Sequence, residues 1–256
     1  MEILVCLDKK LIKQLICLLY NLVRTQNSLD SYTIHVIHGK IAQSYIRRIK
    51  KFCIKVKLNI KFYHFQLDEE IDFPTWGHGS EGNYYRLFFS EITKICCGKL
   101  LYLDLDLLLL EDLFSLYEID LQGHALGAHA EESVQTGSEE AESSFNSGIM
   151  LIDVKQWIIN EVPKASVQII KEKKIPLVWW DNDILNSIFS NNWLDIGKKW
   201  NLMPSSFTFK TTQNPGIIHF AGSAKPWHKG YRLSYANAYR KMFLRSRVCY
   251  YFSNII

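Results

Sequence analysis

One apolar segment, from Leu100 to Leu110, constrains the fold more than any other because it contains two carboxylates. Eight leucines and Tyr102 surround Asp104 and Asp106. Such a run is typical of a buried strand and its exit. Side chains two residues apart on an extended chain project to the same side, so the two aspartates share a face. Two close carboxylates in apolar surroundings repel each other unless a cation joins them.

A divalent cation such as Mn²⁺ or Mg²⁺ would satisfy Asp104 and Asp106, because both ions prefer carboxylate oxygens. The alternative is a strand end at which the two aspartates simply emerge into solvent. His219 is a candidate third ligand, since it follows another short apolar strand. Gly222 and Lys225 come soon after it and supply close backbone approach and a positive charge for a phosphate. The pattern predicts a metal that holds a diphosphate.

The first quarter of the chain alternates between two hydrophobic periodicities. Short apolar strands are separated by stretches with leucine or isoleucine at helical spacing. The order strand, helix, strand, helix, strand predicts an α/β domain with a mainly parallel sheet, whose ligands gather at the carboxyl ends of the strands. The predicted strands are Ile3–Leu7, Ile34–Ile37 and Leu58–Phe65, and the predicted helices are Leu11–Leu22 and Ala42–Phe52.

Two irregular regions interrupt this pattern. Residues 72–82 are rich in turn formers and predict a surface loop before a helix that starts near Asn83. Residues 122–144 carry five glutamates and little apolar material between them. A long acidic loop of this kind is either disordered or a functional lid, and we expect the stretch from Glu131 to Glu142 to cover the ligand.

Composition excludes several classes of protein. The chain has 256 residues, of which 48% are hydrophobic, and this fraction is too high for a disordered protein. Its six cysteines lack the spacing of a zinc site, so we interpret them as reduced thiols of a cytoplasmic protein. No stretch is long and apolar enough to predict a transmembrane span, and acidic Glu2 and Asp8 argue against a signal peptide.

Charge divides the chain unevenly. From Ile196 to Ile256 there are ten lysines and arginines and no acidic residue. Apolar residues at helical spacing from Tyr235 to Phe243 predict a basic, aromatic helix or tail over residues 231–256, after a catalytic domain over residues 1–230. Such a helix suits the anionic inner surface of a membrane, and the alternative is that its apolar face packs on the domain. We predict no nucleic-acid partner.

Five short segments of the chain form a recognisable series. They are Tyr84–Leu87, Leu101–Asp106, Phe145–Gly148, Asp181–Asn186 and His219–Gly222 with Lys225–Trp227. In this order they resemble the retaining glycosyltransferases of family 8, which include bacterial lipopolysaccharide galactosyl- and glucosyltransferases and glycogenin. The resemblance implies a GT-A nucleotide-diphospho-sugar transferase fold, with a single, mainly parallel mixed sheet flanked by helices. It also implies a nucleotide-sugar donor with Mn²⁺ or Mg²⁺.

The family's residue roles transfer by position. Asp104, Asp106 and His219 match its metal ligands, and Asp181 and Asn182 match the pair near the reacting sugar carbon. The remaining matches are residues that contact the donor in the family: Cys6, Asp8, Arg86, Leu105, Asn146, Gly148, Gly222 and Lys225. Asp104, Asp181 and Asn182 also match donor-contact positions.

One position departs from the family pattern. The family usually has Asn-Tyr after the first-strand aspartate, with the tyrosine stacked on the base. This chain has Lys10 and Leu11 there, and a leucine cannot stack in that way. The resemblance to a uridine site is therefore weakest at the base.

The resemblance implies retaining transfer of glucose or galactose from a UDP-sugar to a hydroxyl acceptor. The acceptor would be a saccharide, a lipid-linked saccharide or a glycoprotein, as in lipopolysaccharide or other cell-surface glycan biosynthesis. Two alternatives stay open at this point: a nucleotide-sugar-binding protein without transfer activity, and a metal-dependent phosphohydrolase that uses Asp104 and Asp106.

Overall fold

The fold is taken from a computed structural model, which describes residues 1–27, 29–75, 77, 80–131, 144–204 and 214–251. Among these residues, no helix combines the length and the apolarity needed to cross a bilayer. All six cysteines are free thiols, which agrees with the interpretation drawn from their spacing.

Strands and helices alternate along most of the described chain. Helical segments of the 3-10 type lie at Lys9–Leu11, Leu29–Ser31, Glu81–Phe88 and Lys198–Trp200. The strands are β1 (Glu2–Leu7), β2 (Thr33–His38), β3 (Asn59–His64), β4 (Lys99–Leu103), β5 (Leu107–Leu109), β6 (Leu126–Ala130), β7 (Phe145–Asp153), β8 (Trp193–Asp195) and β9 (Ile217–His219). The helices are α1 (Ile12–Thr25), α2 (Gln43–Lys55), α3 (Phe89–Thr93), α4 (Phe114–Tyr117), α5 (Val154–Ile159), α6 (Val162–Glu172), α7 (Asp181–Ile188) and α8 (Ala236–Tyr251).

The main sheet has the strand order β3-β2-β1-β4-β7-β6-β8. Strands β3, β2, β1 and β4 are mutually parallel, β7 runs antiparallel to both β4 and β6, and β8 is parallel to β6. The predicted α/β fold with a mainly parallel mixed sheet is therefore confirmed. The prediction of the first three strands and the first two helices is confirmed as well, with ends that shift by at most three residues.

Alternation along β1 explains why the sheet is covered on both faces. Ile3, Val5 and Leu7 point into the core that contains α1 and α2. Leu4 and Cys6 point into the opposite core, which is built with α5, α6 and α7. Because both faces are buried, the strand reads as a continuous apolar run, and polar side chains appear only where the strand ends.

A second, two-stranded sheet was not predicted. It pairs β5 with β9 in antiparallel fashion, and Leu107 lies opposite His219. Since β5 begins one residue after Asp106, this pairing brings the distant His219 to the exit of β4. The small sheet thus connects the two parts of the sequence that carry the predicted metal ligands.

The predicted helix from Asn83 is largely wrong in type. Residues 81–88 form 3-10 turns, and α-helix starts only at Phe89. Tyr84, Tyr85, Arg86 and Leu87 are all buried, so the segment is enclosed on several sides rather than on the one face that the predicted pattern implied.

Two of the segments that carry the family resemblance lie in regular elements. Asn146–Gly148 is part of β7. Helix α7 begins at Asp181. The predicted lid lies outside the described residues apart from Glu131 at its start.

The C-terminal helix packs on the domain. Tyr239, Ser246 and Tyr250 of α8 are almost fully buried, and the ring of Tyr250 belongs to the core that contains α1. The apolar face of the helix is thus covered by the protein itself. Its outer face exposes Leu244 and Val248, which are 60% and 57% accessible.

Candidate active site

An open cleft of about 570 Å³ lies where β1, β4 and β7 meet the loop after β9. All residues predicted for the site line it, although they come from distant parts of the chain. They are Cys6, Asp8, Arg86, Asp104, Leu105, Asp106, Asn146, Gly148, Asp181, Asn182, His219, Gly222 and Lys225. The structure brings this set together, and the role of each member stays a prediction.

The three predicted metal ligands converge in this cleft. Asp104, Asp106 and His219 each offer one ligand atom, and these atoms lie within 4.8 Å of one another. His219 Nε2 is 3.7 Å from Asp104 Oδ2 and 3.4 Å from Asp106 Oδ1. Two carboxylate oxygens and one imidazole nitrogen form a donor set that suits Mn²⁺ or Mg²⁺, with positions left open for a substrate.

Bonds around these ligands orient their free atoms toward each other. Tyr102 donates its hydroxyl to Asp104 Oδ1 at 2.6 Å, which leaves Oδ2 facing His219. His219 Nδ1 lies 2.9 Å from the amide oxygen of Asn201. Because an amide oxygen only accepts, Nδ1 carries the proton and Nε2 presents a lone pair to the carboxylates. This arrangement fits a metal ion, which would relieve the repulsion between the lone pair and the oxygens.

Lys225 adds a fixed positive charge to the same corner. Its Nζ donates to Asp106 Oδ2 at 2.5 Å and to the Phe220 carbonyl at 3.0 Å. Burial opposes ionisation of Asp106, but the contacts that favour it, of which the Lys225 ammonium group is the largest, hold the pKa of this carboxyl well below its usual range. Asp106 is therefore ionised, as a metal ligand must be.

Arg86 is buried at the other side of Asp104 rather than exposed, as an isolated helical arginine would be. Its Nε contacts Asp181 Oδ2 at 2.7 Å, Nη1 donates to the Ser147 carbonyl at 2.7 Å, and Nη2 lies 3.5 Å from Asp104 Oδ1. The guanidinium also stacks on the ring of Tyr102, 4.3 Å from its centre. The planar guanidinium thus connects the predicted ligand Asp104 to the carboxylate of Asp181.

Asp181 is the least stabilised charge in the cleft. It is 2% exposed, and burial raises its pKa to about 7, although Arg86 works in the opposite direction. The residue before it, Trp180, has a φ of 53°, a conformation that few residues with a side chain adopt. This turn begins α7 directly at the cleft, and Asp181 is its first residue.

Two asparagines tie α7 to β7. Asn182 Oδ1 accepts from the Ser147 backbone N–H at 2.8 Å. Asn186 accepts from the Phe145 N–H at 2.8 Å and donates to the Phe145 carbonyl at 2.9 Å. The amide oxygen of Asn182, predicted to act near the reacting carbon, is thus already used to dock the helix that carries Asp181.

Gly148 makes room for the metal ligands. A Cβ at this position would lie 2.2 Å from His219 Cε1 and 2.8 Å from Asp104 Oδ2. Gly148 also accepts the backbone N–H of Asp104 at 2.8 Å. The glycine therefore brings β7 close to the exit of β4 without filling the space between the ligands.

The predicted base end of the cleft is less polar. Burial raises the pKa of the Cys6 thiol well above its usual range, so the thiol is neutral. Asp8 accepts from the Lys10 backbone N–H at 3.0 Å and begins a 3-10 turn, which places half-buried Leu11 on the cleft wall. At the opposite wall, Gly222 has a φ of 85°.

Sequence reasoning missed Asn201 and did not assign Glu131 to the site. Asn201 is fully buried and bonds both His219 and Asn146, and Glu131 accepts from the Asn146 amide at 3.1 Å. Neither residue lies in a recognisable motif. Asn201 follows Lys198–Trp200 in the basic part of the chain, and Glu131 opens the acidic stretch. Only the tertiary structure brings them beside the cleft.

A solved structure of the galactosyltransferase LgtC, in complex with donor and acceptor sugar analogs, has the same fold. It superposes with a TM-score of 0.84 over 96% of both chains, at 24% sequence identity. The likeness confirms the predicted GT-A architecture.

Among curated proteins, the glycosyltransferase GlyF of Streptococcus pneumoniae is 27% identical over 76% of this chain and 50% of its own length. The lipopolysaccharide 1,2-glucosyltransferase of Escherichia coli K12 is 26% identical over 79% of this chain and 64% of its own. The chain thus spans half to nearly two thirds of these relatives. Residues 2–230 match the sequence model of glycosyl transferase family 8. The chain therefore belongs to glycosyl transferase family 8, and by family it is a glycosyltransferase enzyme.

Proposed function

We propose that the protein transfers a hexose, glucose or galactose, from a UDP-sugar to a hydroxyl acceptor with retention of anomeric configuration. The observation that carries this proposal is the convergence of Asp104, Asp106 and His219 within 4.8 Å in a cleft that also holds Lys225. Two carboxylates, an imidazole and an ammonium group suit a metal-bound diphosphate, which is the leaving group of a nucleotide-sugar.

Asp104, Asp106 and His219 would hold the Mn²⁺ or Mg²⁺ ion, which supplies charge neutralisation for the leaving diphosphate. Lys225 adds a second positive charge beside Asp106, and Gly222 lets the backbone approach the phosphates closely. The two groups act where negative charge develops as the bond to the sugar breaks.

Arg86 and Asp181 act at the sugar side of the cleft. Arg86 holds the carboxylate of Asp181 in place, and that carboxylate in its ionised form stabilises positive charge at the reacting carbon. The other contacts to the donor sugar come from Asn146 and Gly148 of β7 and from Asn182 of α7. The nucleoside is contacted by Cys6, Asp8 and the Leu105 backbone.

The acceptor side of the proposal depends on Trp179. Its ring is 53% exposed and lines the cleft two residues before Asp181. An exposed indole presents a flat apolar face on which a sugar ring can stack. We therefore assign the acceptor to a saccharide or glycoconjugate, and the curated lipopolysaccharide relative favours bacterial cell-surface glycans.

We propose a cytoplasmic location, peripheral at the inner face of a membrane. The outer face of α8 carries Lys241, Leu244, Arg245 and Val248 at helical spacing, all exposed. Apolar and basic side chains on one exposed stripe suit an anionic bilayer surface. Replacing Leu244 and Val248 with serine should abolish sedimentation with anionic vesicles at low salt and leave UDP binding unchanged. Equal sedimentation of the variant would contradict the proposal.

Donor turnover, measured with and without acceptor, tests the transferase proposal. We expect sugar transfer in the presence of Mn²⁺ and a screened saccharide acceptor, and tight UDP binding by calorimetry that EDTA abolishes. UDP affinity that is unchanged in EDTA would contradict the metal site. Binding without turnover would instead indicate a nucleotide-sugar-binding protein, and phosphate release from simple esters a phosphohydrolase.

A further inference from the structure

One buried amide joins the predicted metal site to the predicted donor-sugar site. Asn201 is 0% exposed and lies just after the 3-10 turn Lys198–Trp200. Its Oδ1 is 2.9 Å from His219 Nδ1, and its Nδ2 is 3.1 Å from Asn146 Oδ1. Both ends of a single side chain are therefore bonded, one toward each half of the cleft.

The direction of these bonds follows from one backbone group. The N–H of Gly148 lies 3.1 Å from Asn146 Oδ1, and a backbone N–H can only donate. The Asn146 atom at this position must be the oxygen, so Asn201 donates to it through Nδ2. The remaining atom of the Asn201 amide is then its oxygen, which can only accept a hydrogen bond from the N–H of His219 Nδ1.

The other end of the chain of bonds agrees with this assignment. Asn146 Nδ2 lies 3.1 Å from Glu131 Oε1, and a carboxylate requires a donor there. The four side chains Glu131, Asn146, Asn201 and His219 thus have one consistent set of donors and acceptors. Its last member, His219, is left with the proton on Nδ1 and the lone pair on Nε2.

We propose that Asn201 is a positioning residue for both halves of the site. Its oxygen fixes the tautomer and ring orientation of His219, so that Nε2 faces Asp104 and Asp106. Its amide nitrogen holds Asn146 toward the donor sugar. The inference rests on the proposed metal-dependent transfer, because it states how the protein prepares the third ligand.

Two substitutions separate the two bonds. Asn201→Ala removes both the acceptor for His219 and the donor for Asn146. Asn201→Asp keeps an acceptor for His219 Nδ1–H but places a second oxygen against Asn146 Oδ1. If Asn201 has a positioning role, loss of its oxygen should weaken metal binding. Loss of its amide nitrogen should raise the KM for the sugar donor.

Asn21 offers a matched control. It is 1% exposed, and its amide donates to the Leu109 carbonyl at 3.0 Å and accepts from the Leu109 N–H at 2.8 Å. It thus supports β5, the strand that pairs with the strand of His219, but bonds no ligand. Asn21→Ala should cost stability without changing the metal site.

The experiment measures Mn²⁺ binding by electron paramagnetic resonance, where free and bound ions give distinct signals, and donor KM by turnover. Asn201→Ala should weaken Mn²⁺ binding about 10- to 100-fold. Asn201→Asp should retain affinity within about threefold while the KM for the UDP-sugar rises. Asn21→Ala should lower the melting temperature and bind Mn²⁺ as the wild type does.

Wild-type affinity in Asn201→Ala would overturn the inference, as would an equal loss of affinity in Asn201→Asp or in Asn21→Ala. If Asn201→Ala does not fold, Asn201→Ser takes its place, because its short side chain cannot reach both partners. Failure of the wild type to bind Mn²⁺ is a different result: it would overturn the proposed metal site itself.

Discussion

Asp106 and Asp181 line the same cleft and are both largely buried, yet their acid strengths are shifted in opposite directions. The pKa of Asp106 lies well below its usual range, whereas that of Asp181 is raised to about 7. Burial raises both pKa values, so the difference must come from the neighbouring charges.

The two aspartates differ in whether their cation is shared. Lys225 lies 2.5 Å from Asp106 and pairs with no other carboxylate of the described residues. Arg86 pairs with Asp181 but also lies 3.5 Å from Asp104, so its charge is divided between two carboxylates. One end of the cleft thus carries a fixed negative charge, whereas the other holds a carboxyl group that is about half ionised near pH 7. Arg86, shared between two carboxylates, does not offset the effect of burial on the pKa of Asp181.

The largest effect is expected from removing the fixed charge. Asp106→Asn keeps the shape of the side chain but removes the anion that faces Lys225 and the metal position. Loss of a metal ligand costs several kcal/mol of transition-state stabilisation, so turnover should fall roughly 1000-fold or more. Donor turnover and Mn²⁺-dependent UDP binding by calorimetry check this.

Asp195→Asn is the control for that variant. Asp195 also pairs with a histidine, His129 at 3.2 Å, and its pKa is also lowered, but it lies outside the cleft. Turnover should be unchanged in this variant. A similar loss in both variants would mean that Asp106 acts through stability alone.

A smaller effect is expected from crowding the ligands without touching their charge. Gly148→Ala places a methyl group 2.2 Å from His219 Cε1, so His219 or β7 must move. Overpacking of this kind costs about 1–3 kcal/mol, which would correspond to roughly 5- to 150-fold in Mn²⁺ affinity. Titration with Mn²⁺, followed by electron paramagnetic resonance, measures this loss of affinity.

Gly127→Ala serves as the steric control. Its Cβ would lie 2.7 Å from Ile196 Cγ2 and 3.0 Å from Leu121 Cδ2, away from the cleft. This variant should lose stability and keep its Mn²⁺ affinity. Unchanged affinity in Gly148→Ala would refute the idea that this glycine is required for space at the metal site.

The smallest effect concerns the pH dependence of Asp181. With a pKa of about 7, Asp181 loses its charge as the pH falls, and the proposed stabilisation of the sugar carbon is lost with it. Between pH 8 and pH 6 the kcat/KM for the donor should fall about tenfold. The Asp181→Asn variant should turn the donor over slowly at both pH values, and its kcat/KM should not fall between pH 8 and pH 6. A wild-type profile that is flat over this range would contradict the role of the ionised form.

The same group affects stability in the opposite sense. A carboxyl whose pKa is raised on folding retains a proton that the unfolded chain has already lost above pH 4. Its contribution to the free energy of unfolding therefore falls as the pH rises from about 4 to about 7. Asp181→Asn should remove this slope, and denaturant unfolding of the metal-free protein at several pH values checks it.

The sequence predicted the fold well where hydrophobic period and buried strands decide it, as for β1, α1 and β4. It also predicted residues that the structure brings together around the cleft. Asp104, Asp106, His219, Gly222 and Lys225 stood out by their own pattern, and the remaining residues were predicted only through the resemblance to the family. It did not predict the contacts of Arg86, which depend on the enclosure of the 3-10 segment. Asn201 stayed hidden because a lone asparagine has no local pattern, and its two bonds exist only after the strands have met.

The pairing of β5 with β9 has a consequence for folding. Leu107 and His219 are roughly 110 residues apart, and closing a loop of that length carries an entropic cost. An ion held by Asp106 and His219 would act as a removable cross-link across this loop, in the manner of a disulfide. The apoprotein should then melt earliest at this small sheet, and the divalent ion should slow its opening. The cofactor proposed for the reaction would thus also stabilise this long-range closure of the chain.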